Sequence, residues 1–419
     1  MIGLCDCNNF FVSCERLFNP ALEGRAVVVM SGNDGCVVAR SNEAKALGIK
    51  MSQPLFQIKD LIEREGVVTI SSNLQLYGDI SERVMMILRE SVPAIEVYSI
   101  DEAFLDLSGF QLDELESFGR ELARKVRRCV GIPVSIGITP TKTLSKIASK
   151  LCKSYPRLQG CCLMYRDEDI RKVLTKTAVG DVWGIGRRST AMLNSYNIRT
   201  AEEFRQAPEG WIKGRMGIVG VRTWRELHGE STIDIDVVHS DRGSIMVSRT
   251  FHRDEQELSA IAKSVATFAS MATEKLRRQG SHCSTLQVFL STNRHRADLP
   301  QHSEDRVTRF TTATDSTIEI VQEATRMLEE IYRVGYGYKK AGVVLLDISK
   351  NTGLQTSMFD KLDRAKHRSL MESMDRINGD MGRSTVKLCA AGDGGVKSLS
   401  EKRSPNYTTD WESILTVNC

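Results

Sequence analysis

Three carboxylates, Asp6, Asp101 and Glu102, are the residues whose types best suit metal-dependent chemistry. Asp6 lies at the end of an apolar segment of strand length, whereas Asp101 and Glu102 lie together between two further such segments. Carboxylates that converge need a cation, because apolar surroundings do not compensate for unpaired negative charge. Hard oxygen ligands suit Mg²⁺, and two such ions about 3.5–4 Å apart support in-line phosphoryl transfer. The alternative is that these carboxylates lie in turns and face water.

Histidine and cysteine usage narrows the chemistry further. All seven histidines lie at or beyond His228, which excludes imidazole catalysis and a His-ligated zinc site from the first half of the chain. The later His282, His295 and His302 do not have the spacing of a metal-ligand set. The eleven cysteines are odd in number, scattered and without a CxxC pair, which indicates reduced thiols in the cytosol.

Two short segments outside the carboxylate set could bind larger partners. Residues 183–188 (WGIGRR) predict a helix-hairpin-helix turn, in which backbone N–H groups at a helix start bind a DNA phosphate. A plain glycine turn is the alternative for this segment. Residues 355–360 (QTSMFD) combine a glutamine with an apolar-aromatic pair, a pattern that can dock into a pocket of a partner. Patterns of six residues also occur by chance.

The composition is that of a globular protein. Of the 419 residues, 41% are hydrophobic and 26% are charged, which excludes a mostly disordered chain, a collagen-like chain and a coiled-coil rod. No apolar run has the length of a membrane span, and Asp6 interrupts the first apolar run, so we expect a cytoplasmic location and no membrane partner. The net charge is +4, but residues 120–157 contain ten basic residues and one acidic residue. This segment predicts a phosphate-binding stripe, with solvated helix faces as the alternative around 120–128.

The elements that would position the three carboxylates form a recognisable order. Strands are expected at 2–8, 95–100, 103–107 and 133–138, with amphipathic helices at 74–90 and 112–130. This β-α-β-β-α-β order is the ferredoxin-like arrangement, in which the strands carrying Asp6 and Glu102 are neighbours. Residues 11–72 would then be an insertion after the first strand, and a basic helix is expected at 141–152.

The remainder of the chain divides into three parts. Residues 167–232 are expected to be small and helical. The β-α-β-β-α-β order returns over residues 242–348, but without a carboxylate pair at its central hairpin, which predicts a binding module. From residue 351 the content of Gly, Ser and Asp rises, and residues 392–395 and 397–407 are predicted to be a linker or mobile tail.

Several ordered motifs together identify a family. They are residues 4–11 (LCDCNNFF) with 13–15 (SCE), residues 33–40 (NDGCVVAR), residues 98–104 (YSIDEAF) and residues 181–186 (DVWGIG). Over residues 1–350 the chain resembles the Y-family translesion DNA polymerases. The resemblance implies an α+β, right-hand polymerase with a ferredoxin-like palm, small fingers, a helix-hairpin-helix thumb and a β-α-β-β-α-β little finger. It places the palm at 1–10 and 73–165, the fingers at 11–72, the thumb at 166–232, the little finger at 242–350 and a tail at 351–419.

The resemblance also implies residue roles. Asp6, Asp101 and Glu102 would hold two Mg²⁺ ions, for which Mn²⁺ could substitute, and the backbone carbonyl of Cys7 would be a further ligand. Phe11 matches the steric gate, where a ring collides with a ribose 2′-OH. In the fingers this chain has asparagine and lysine where many members have tyrosine and arginine, and the lysine lacks the bidentate guanidinium. The implied nucleotide-binding set is Phe10, Phe11, Asn42, Lys45 and Lys153, and the implied DNA-binding set is Gly184, Gly186, Arg187 and Arg188.

The implied reaction is attack of a primer 3′-OH on the α-phosphate of a dNTP, on primer-template DNA, with low fidelity and in the bacterial SOS response. Gln355, Met358 and Phe359 resemble a motif that binds the sliding clamp, although Thr356 and Met358 depart from the usual leucines. The tail is also expected to meet a UmuD-like processed dimer and the RecA filament. Two other functions remain open: a non-catalytic, clamp-tethered DNA-binding factor, and another palm-type enzyme such as a nucleotide cyclase.

Overall fold

The computed structural model describes residues 1–236, 241–350, 360, 362–392 and 399–415. The chain forms two compact units. The first comprises Met1–His239 together with Glu401–Cys419, and the second comprises Ser240–Ser400. The C-terminal residues therefore return to the first unit.

The first unit contains the elements that carry the three candidate carboxylates. Its element order is β1 (Ile2–Cys7), α1 (Phe10–Phe18), β2 (Val27–Met30), β3 (Val37–Arg40), α2 (Asn42–Ala46), α3 (Lys59–Glu65), β4 (Val68–Ser71), α4 (Leu74–Ser91), β5 (Ile95–Val97), β6 (Glu102–Asp106), α5 (Leu115–Val130), β7 (Val134–Thr139), α6 (Lys142–Ser154), β8 (Cys161–Leu163), α7 (Asp167–Leu174), α8 (Arg187–Ser195), α9 (Ala201–Gln206) and α10 (Glu209–Leu227).

The main sheet of this unit has the strand order β5-β6-β1-β7-β8. Strand β1 pairs antiparallel with both β6 and β7, and most of its side chains are buried. A continuously apolar strand between two neighbours is what burial on both faces requires. The predicted ferredoxin-like arrangement is confirmed in β1, β5, β6 and β7, and β8 extends the sheet by a parallel pairing that the sequence pattern did not indicate.

Helices α5 and α6 cover opposite faces of β7. A Cβ at Gly137 would lie 2.3 Å from the Ser145 carbonyl oxygen of α6, whereas the neighbouring Ile138 is directed toward Gly119 of α5. Successive strand residues point to opposite faces, so the two helices cannot share one surface. The prediction that the basic residues of 120–157 form one stripe is therefore wrong. Lys142 is buried as well, and it pairs with the Glu96 carboxylate.

A smaller sheet with the order β3-β2-β4 lies within residues 11–72. Its central strand β2 is fully buried, and it pairs antiparallel with β3 and parallel with β4. Strand β4 is an edge of this sheet. Helix α4 follows it directly, and the Asn73 side chain caps α4 by accepting a hydrogen bond from the Leu76 amide.

The second unit repeats the chain order of the first but not its strand order. Its elements are β9 (Ile245–Glu255), α11 (Leu258–Arg278), β10 (Ser281–Thr292), β11 (Ser303–Thr314), α12 (Thr317–Ile331), β12 (Tyr338–Lys350) and α13 (Arg364–Asp380). The sheet order is β11-β10-β12-β9, so the last strand lies between the first and second strands. The β-α-β-β-α-β prediction for this part is confirmed as a chain order.

Helix α13 was not predicted from the sequence. It docks on the second unit through polar contacts: the Arg277 guanidinium donates to both carboxylate oxygens of Asp375, at 2.6 and 2.8 Å, and Arg364 pairs with Glu319. Bidentate pairs of this kind fix geometry without needing a continuous apolar stripe. A helix held in this way gives a weak hydrophobic pattern in its own sequence.

Within the described ranges, no helix has both the length and the apolar composition needed to cross a lipid bilayer. The cysteines of those ranges are all free thiols, and most of them are buried.

Candidate active site

The ends of β1 and β6 bring the three candidate carboxylates together. Asp6 and Glu102 are directly opposite each other in the antiparallel register of these strands. The Cys7 amide donates to the carbonyl oxygen of Asp101 at 2.8 Å, which fixes the residue before β6 against the end of β1. Residues directly opposite on adjacent strands have Cβ atoms about 4.5–5.5 Å apart. The convergence predicted from the sequence is therefore present in the backbone register.

Two lysines of α6 partner these carboxylates. The Lys153 ammonium lies 2.7 Å from both carboxylate oxygens of Asp6, and the Lys146 ammonium lies 2.6 Å from Glu102. Lysines seven residues apart lie on the same face of a helix, so α6 presents both to the strand ends. Asp6 and Glu102 therefore each have their own positive partner.

The surroundings of Asp6 favour a positively charged partner. Burial raises the pKa of Asp6 to about 6; Lys153 acts against this, and the negative charges of Glu102 and Asp101 add to it. A carboxyl group in such surroundings ionises readily only when positive charge is supplied. Asp101 is held separately, since the Ser99 hydroxyl donates to its Oδ1 at 2.6 Å.

The donor set fits Mg²⁺ by chemistry. It consists of carboxylate oxygens at two strand ends with no imidazole, and these are the ligands that a hard cation prefers. Among the described residues, no three His, Cys, Asp or Glu side chains are already grouped closely enough to hold a metal ion. The carboxylates of Asp6 and Glu102 are not grouped around one point, because each is turned toward a lysine.

A cleft of about 400 Å³ opens beside these carboxylates. Its lining combines the strand ends, the first turn of α1, residues of β3 and α2, and Lys153 of α6: Asp6, Cys7, Asn9, Phe10, Phe11, Val38, Ala39, Arg40, Lys45, Met51, Ile100, Asp101, Glu102 and Lys153. The cleft is acidic at the strand ends and basic at Arg40, Lys45 and Lys153. Such a distribution suits a ligand that carries both bound cations and phosphate groups.

The aromatic side of the cleft is built on a stacked pair. The Phe11 ring lies parallel to the Tyr77 ring of α4, with 4.4 Å between centroids and an interplanar angle of 17°. Phe11 is partly buried and lines the cleft, whereas Phe10 is 3% exposed and belongs mainly to the core. Offset stacking on a buried ring restricts the movement of Phe11.

Asn42 and Lys45, the two departures from the family pattern, lie at the basic side of the site. The Lys45 ammonium donates to the Asn9 carboxamide oxygen at 2.5 Å, and Asn9 in turn donates to the Asn42 side chain at 3.1 Å. Burial lowers the pKa of Lys45, and the nearby charges of Lys153 and Arg40 lower it further. The structure thus brings Lys45 and Lys153 to one region, while Asn42 contacts the cleft-lining residues Asn9 and Lys45.

Residues 183–188 form a glycine turn before α8, as predicted, but the element before the turn differs from the expected α-helix. Gly184 has a φ of +90°, which favours glycine, and Gly186 is the N-cap of α8, with Arg187 and Arg188 exposed in its first turn. The element before the turn is a short 3-10 helix, Val179–Asp181, rather than an α-helix. Exposed amides and arginines at a helix start favour a phosphate ligand.

Trp183 connects this turn to the carboxylates. Its indole N–H donates to the Tyr98 hydroxyl at 3.2 Å, and the Lys146 ammonium lies 5.6 Å from its ring centroid. The same ammonium pairs with Glu102. The turn and the strand end therefore share one lysine.

Sequence reasoning missed several residues of the site. Ser99, which bonds Asp101, lies within the motif at residues 98–104 but was given no role there, and Tyr77, which supports Phe11, belongs to none of the recognised motifs. Lys146 could have been found from the sequence, since it lies seven residues before Lys153 on the same helix face. Gln355, Met358 and Phe359 lie outside the described residues.

The chain matches three known family models. The model of the impB/mucB/samB family matches residues 5–150, the model of that family's C-terminal domain matches residues 242–358, and a domain of unknown function matches residues 368–417. Protein UmuC of Salmonella typhimurium is 38% identical over 423 aligned residues, which cover 100% of each chain.

More distant relatives extend the likeness to named polymerases. DNA polymerase IV of Brucella melitensis is 26% identical over 91% of this chain and 83% of its own length. The solved structure of the Y-family DNA polymerase chimera Dbh-Dpo4(243-245)-Dbh superposes with a TM-score of 0.66 at 21% identity, covering 84% of this chain and 100% of that one. At this identity the structural match shows the fold.

Proposed function

The chain belongs to the impB/mucB/samB family, and we infer from this membership that it is a Y-family DNA polymerase that copies DNA past damaged template bases. The observation that carries the inference is the register of β1 and β6, which sets Asp6 directly opposite Glu102, beside Asp101. Both strands belong to a core in which that register is fixed by burial. Template-directed synthesis uses carboxylates in such an arrangement.

The carboxylates and the backbone carbonyl of Cys7 are proposed to hold two Mg²⁺ ions, with Mn²⁺ as a substitute. When bound, the ions would activate the primer 3′-OH and neutralise the leaving pyrophosphate. Asp6, Asp101 and Glu102 act here as ligands, and the partly buried setting of Asp6 favours cation binding because its charge is poorly hydrated.

Lys153 and Lys146 are proposed to change partners during the reaction. Both ammonium groups pair with carboxylates that must be free to bind cations. Lys153 also lines the cleft beside Lys45, so a flexible side chain can turn from Asp6 to triphosphate oxygens there. A lysine in that position stabilises the negative charge that develops on the leaving group.

The nucleotide is proposed to lie between the fingers and the aromatic pair. Phe11 would place its ring against the sugar and exclude a 2′-OH, with Phe10 fixing the start of α1 behind it. Lys45 and Asn42 would contact the triphosphate through one ammonium and one carboxamide. Lysine offers a point charge without the bidentate geometry of arginine, so this contact is less directional.

The DNA contacts are proposed to be mainly electrostatic. Backbone amides at Gly184 and Gly186 and the guanidinium groups of Arg187 and Arg188 would bind phosphates of the duplex without reading its sequence. The division into palm, fingers, thumb, little finger and tail given above is part of the same proposal. We also propose that the protein is cytoplasmic. Its proposed partners are the sliding clamp, the UmuD-like dimer and the RecA filament.

Primer extension tests the proposal. The purified chain is given Mg²⁺, dNTPs and a primed template, undamaged or with one abasic site, and Asp101→Ala is assayed beside it. We expect extension past the lesion by the wild type and its loss in Asp101→Ala, with DNA binding retained. Asp106→Ala is the matched control, because Asp106 lies at the other end of β6, where its carboxylate accepts a hydrogen bond from the Ser108 amide.

Other outcomes separate the alternatives. Extension that survives in Asp101→Ala contradicts the assignment of the site. If the wild type is inactive alone, the assay is repeated with the UmuD-like dimer and RecA filament. DNA binding without extension under both conditions favours the non-catalytic factor, and a nucleotide product formed without a template favours a cyclase.

A further inference from the structure

The C-terminal residues extend the edge of the small sheet. Residues 401–410, called here the C-terminal strap, run parallel to β4 where Arg403 bridges Ser71. The Ser71 amide donates to the Lys402 carbonyl oxygen at 3.1 Å, and the Lys402 amide donates to the Ser71 hydroxyl at 3.1 Å. An edge strand exposes unpaired backbone groups, and an added extended segment satisfies them.

Two side chains anchor the strap beyond this edge. The Asn73 carboxamide, which also caps α4, donates to the backbone oxygens of Ser404 and Pro405 at 3.0 and 3.1 Å. The Tyr407 ring stacks on Phe18 of α1, with 4.7 Å between centroids and an interplanar angle of 12°. The strap therefore contacts α1, β4 and the start of α4 together.

The strap also completes a buried polar chain. Glu15 of α1 is 3% exposed, and its Oε1 accepts hydrogen bonds from the Tyr77 hydroxyl at 2.6 Å and the Ser404 hydroxyl at 3.0 Å. Both donors are uncharged. A buried carboxylate held by hydroxyl groups depends on each of them, because the penalty for an unmet bond is larger than the gain from a typical one.

The chain of contacts ends at the nucleotide cleft. Tyr77 is fully buried, and its ring forms the stacked pair with Phe11. Ser404 holds Glu15, Glu15 holds the Tyr77 hydroxyl, and the Tyr77 ring supports the Phe11 ring. The contacts thus run without a gap from the C-terminal region to the proposed sugar-discriminating ring.

We propose that the C-terminal strap is a positioning element of the nucleotide site, and that Ser404 sets the place of Phe11 through Glu15 and Tyr77. The proposal rests on the proposed function, since it concerns the choice between deoxyribonucleotides and ribonucleotides. It gives a role to part of the region matched by the domain of unknown function. A strap that only added stability would leave sugar choice unchanged.

Kinetics test the coupling. We compare kcat/KM for dNTP and rNTP insertion in the wild type, Ser404→Ala, Ser404→Thr and Thr409→Ala. Loss of one hydrogen bond to the carboxylate should reduce the deoxyribose preference about 3- to 10-fold in Ser404→Ala. Ser404→Thr retains a hydroxyl and should restore the preference. Thr409→Ala is the matched control, because the Thr409 hydroxyl bonds Gln75 at the surface and not Glu15.

Hydrogen-deuterium exchange tests the coupling without activity. Ser404→Ala should raise deuterium uptake in residues 10–18 and 71–77, and Thr409→Ala should not. An inactive wild type would count against the proposed function alone, and exchange would then decide the coupling. An unchanged sugar preference in an active Ser404→Ala enzyme, or uptake that rises only within the strap, would overturn the role of Ser404.

Discussion

The charge balance of the site depends on single side chains of α6. Asp6 and Glu102 meet across the register of β1 and β6, and each pairs with a lysine of α6. The alternation of strands and turns indicated that the carboxylates could converge, with water-facing turns as the alternative, and the family resemblance favoured convergence. The pairing of Asp6 with Lys153 and of Glu102 with Lys146 was not predicted, because it depends on how α6 crosses the sheet.

Phe11 gives a prediction at this scale. In Phe11→Ala, the ring stacked on Tyr77 is removed and the cleft gains room for a 2′-OH. We expect the ratio of kcat/KM for dNTP to that for rNTP to fall at least about 10-fold, which corresponds to about 1.4 kcal/mol. Single-nucleotide insertion with matched dNTP and rNTP measures this ratio.

The control for Phe11→Ala is Phe56→Ala. Phe56 is 78% exposed and does not line the cleft, so its loss removes an aromatic ring of the same size without enlarging the site. Sugar selectivity that stays at the wild-type value in Phe11→Ala would show that Phe11 is not the gate.

At the scale of elements, the contact between β7 and α6 sets where both lysines lie. A Cβ at Gly137 would approach the Ser145 oxygen to 2.3 Å and the Ser149 nitrogen to 2.4 Å, both backbone atoms of α6. Backbone cannot give way locally, so α6 as a whole must shift. Gly137 is therefore needed for close packing rather than for an unusual φ.

Gly137→Ala should lower both stability and activity. Overpacking typically costs about 1–3 kcal/mol of unfolding free energy, and the shift of α6 should also displace Lys153 from the cleft that it lines. Denaturant unfolding and primer extension measure the two effects.

Gly214→Ala is the matched control, since a Cβ there meets nothing within 4 Å in an exposed turn of α10. It should be neutral or stabilise by at most about 1 kcal/mol. If Gly137→Ala unfolds at the wild-type midpoint, the close approach of α6 is not tight in solution.

A second prediction at this scale concerns DNA binding by helix α8. Its exposed first turn carries Arg187 and Arg188 beside the free N-terminal amides. Replacing both by alanine should weaken duplex binding and reduce the slope of log K against log salt by about 0.9 for each phosphate that the variant no longer neutralises. Fluorescence anisotropy between low and moderate salt gives that slope.

Arg64→Ala on α3 is the control, because Arg64 is exposed and paired with Glu65. If the double variant has the wild-type salt slope, the turn does not contact the DNA.

How far the sequence could predict elements depended on what each element packs against. Strand β1 and helix α5 were recognisable because burial gives them continuous or periodic apolar residues. Helix α13 and the C-terminal strap were not, since Arg277, Asn73 and Glu15, which hold them, are far away in the chain. Residues 397–407 were predicted to be a linker or mobile tail, whereas the described residues 402–407 make specific contacts with β4, Asn73 and Phe18.

At the scale of the whole molecule, one order of strands and helices occurs twice with two different sheet topologies. Both units follow the order β-α-β-β-α-β, but in the first the opening strand β1 is central, whereas in the second the closing strand β12 takes a central place. The first arrangement aligns the ends of β1 and β6, where Asp6 and Glu102 lie. Near the corresponding hairpin, Glu304 and Asp305 lie at the start of β11, but the residues opposite them on β10 are Leu290 and Phe289, so no third carboxylate faces them in this register.

The last prediction concerns the segment between the second unit's sheet and its helix α13. Gln355, Met358 and Phe359 lie outside the described residues, and their clamp-binding role stays a prediction from the sequence. A short motif that docks on a clamp encircling DNA raises the effective concentration of the polymerase at the primer end. Replacing all three by alanine should abolish clamp-stimulated processivity, whereas extension without the clamp should keep its wild-type rate.

Ser357→Ala is the matched control within the same segment, because its small polar side chain is not one of the anchoring residues. The measurement is product length on a primed circular template, with and without loaded clamp. If the clamp lengthens products of the triple variant as much as those of the wild type, the clamp contacts a different part of the chain. The exposed surface of the second unit would then be the first candidate for that contact, because the sequence predicts this unit to be a binding module.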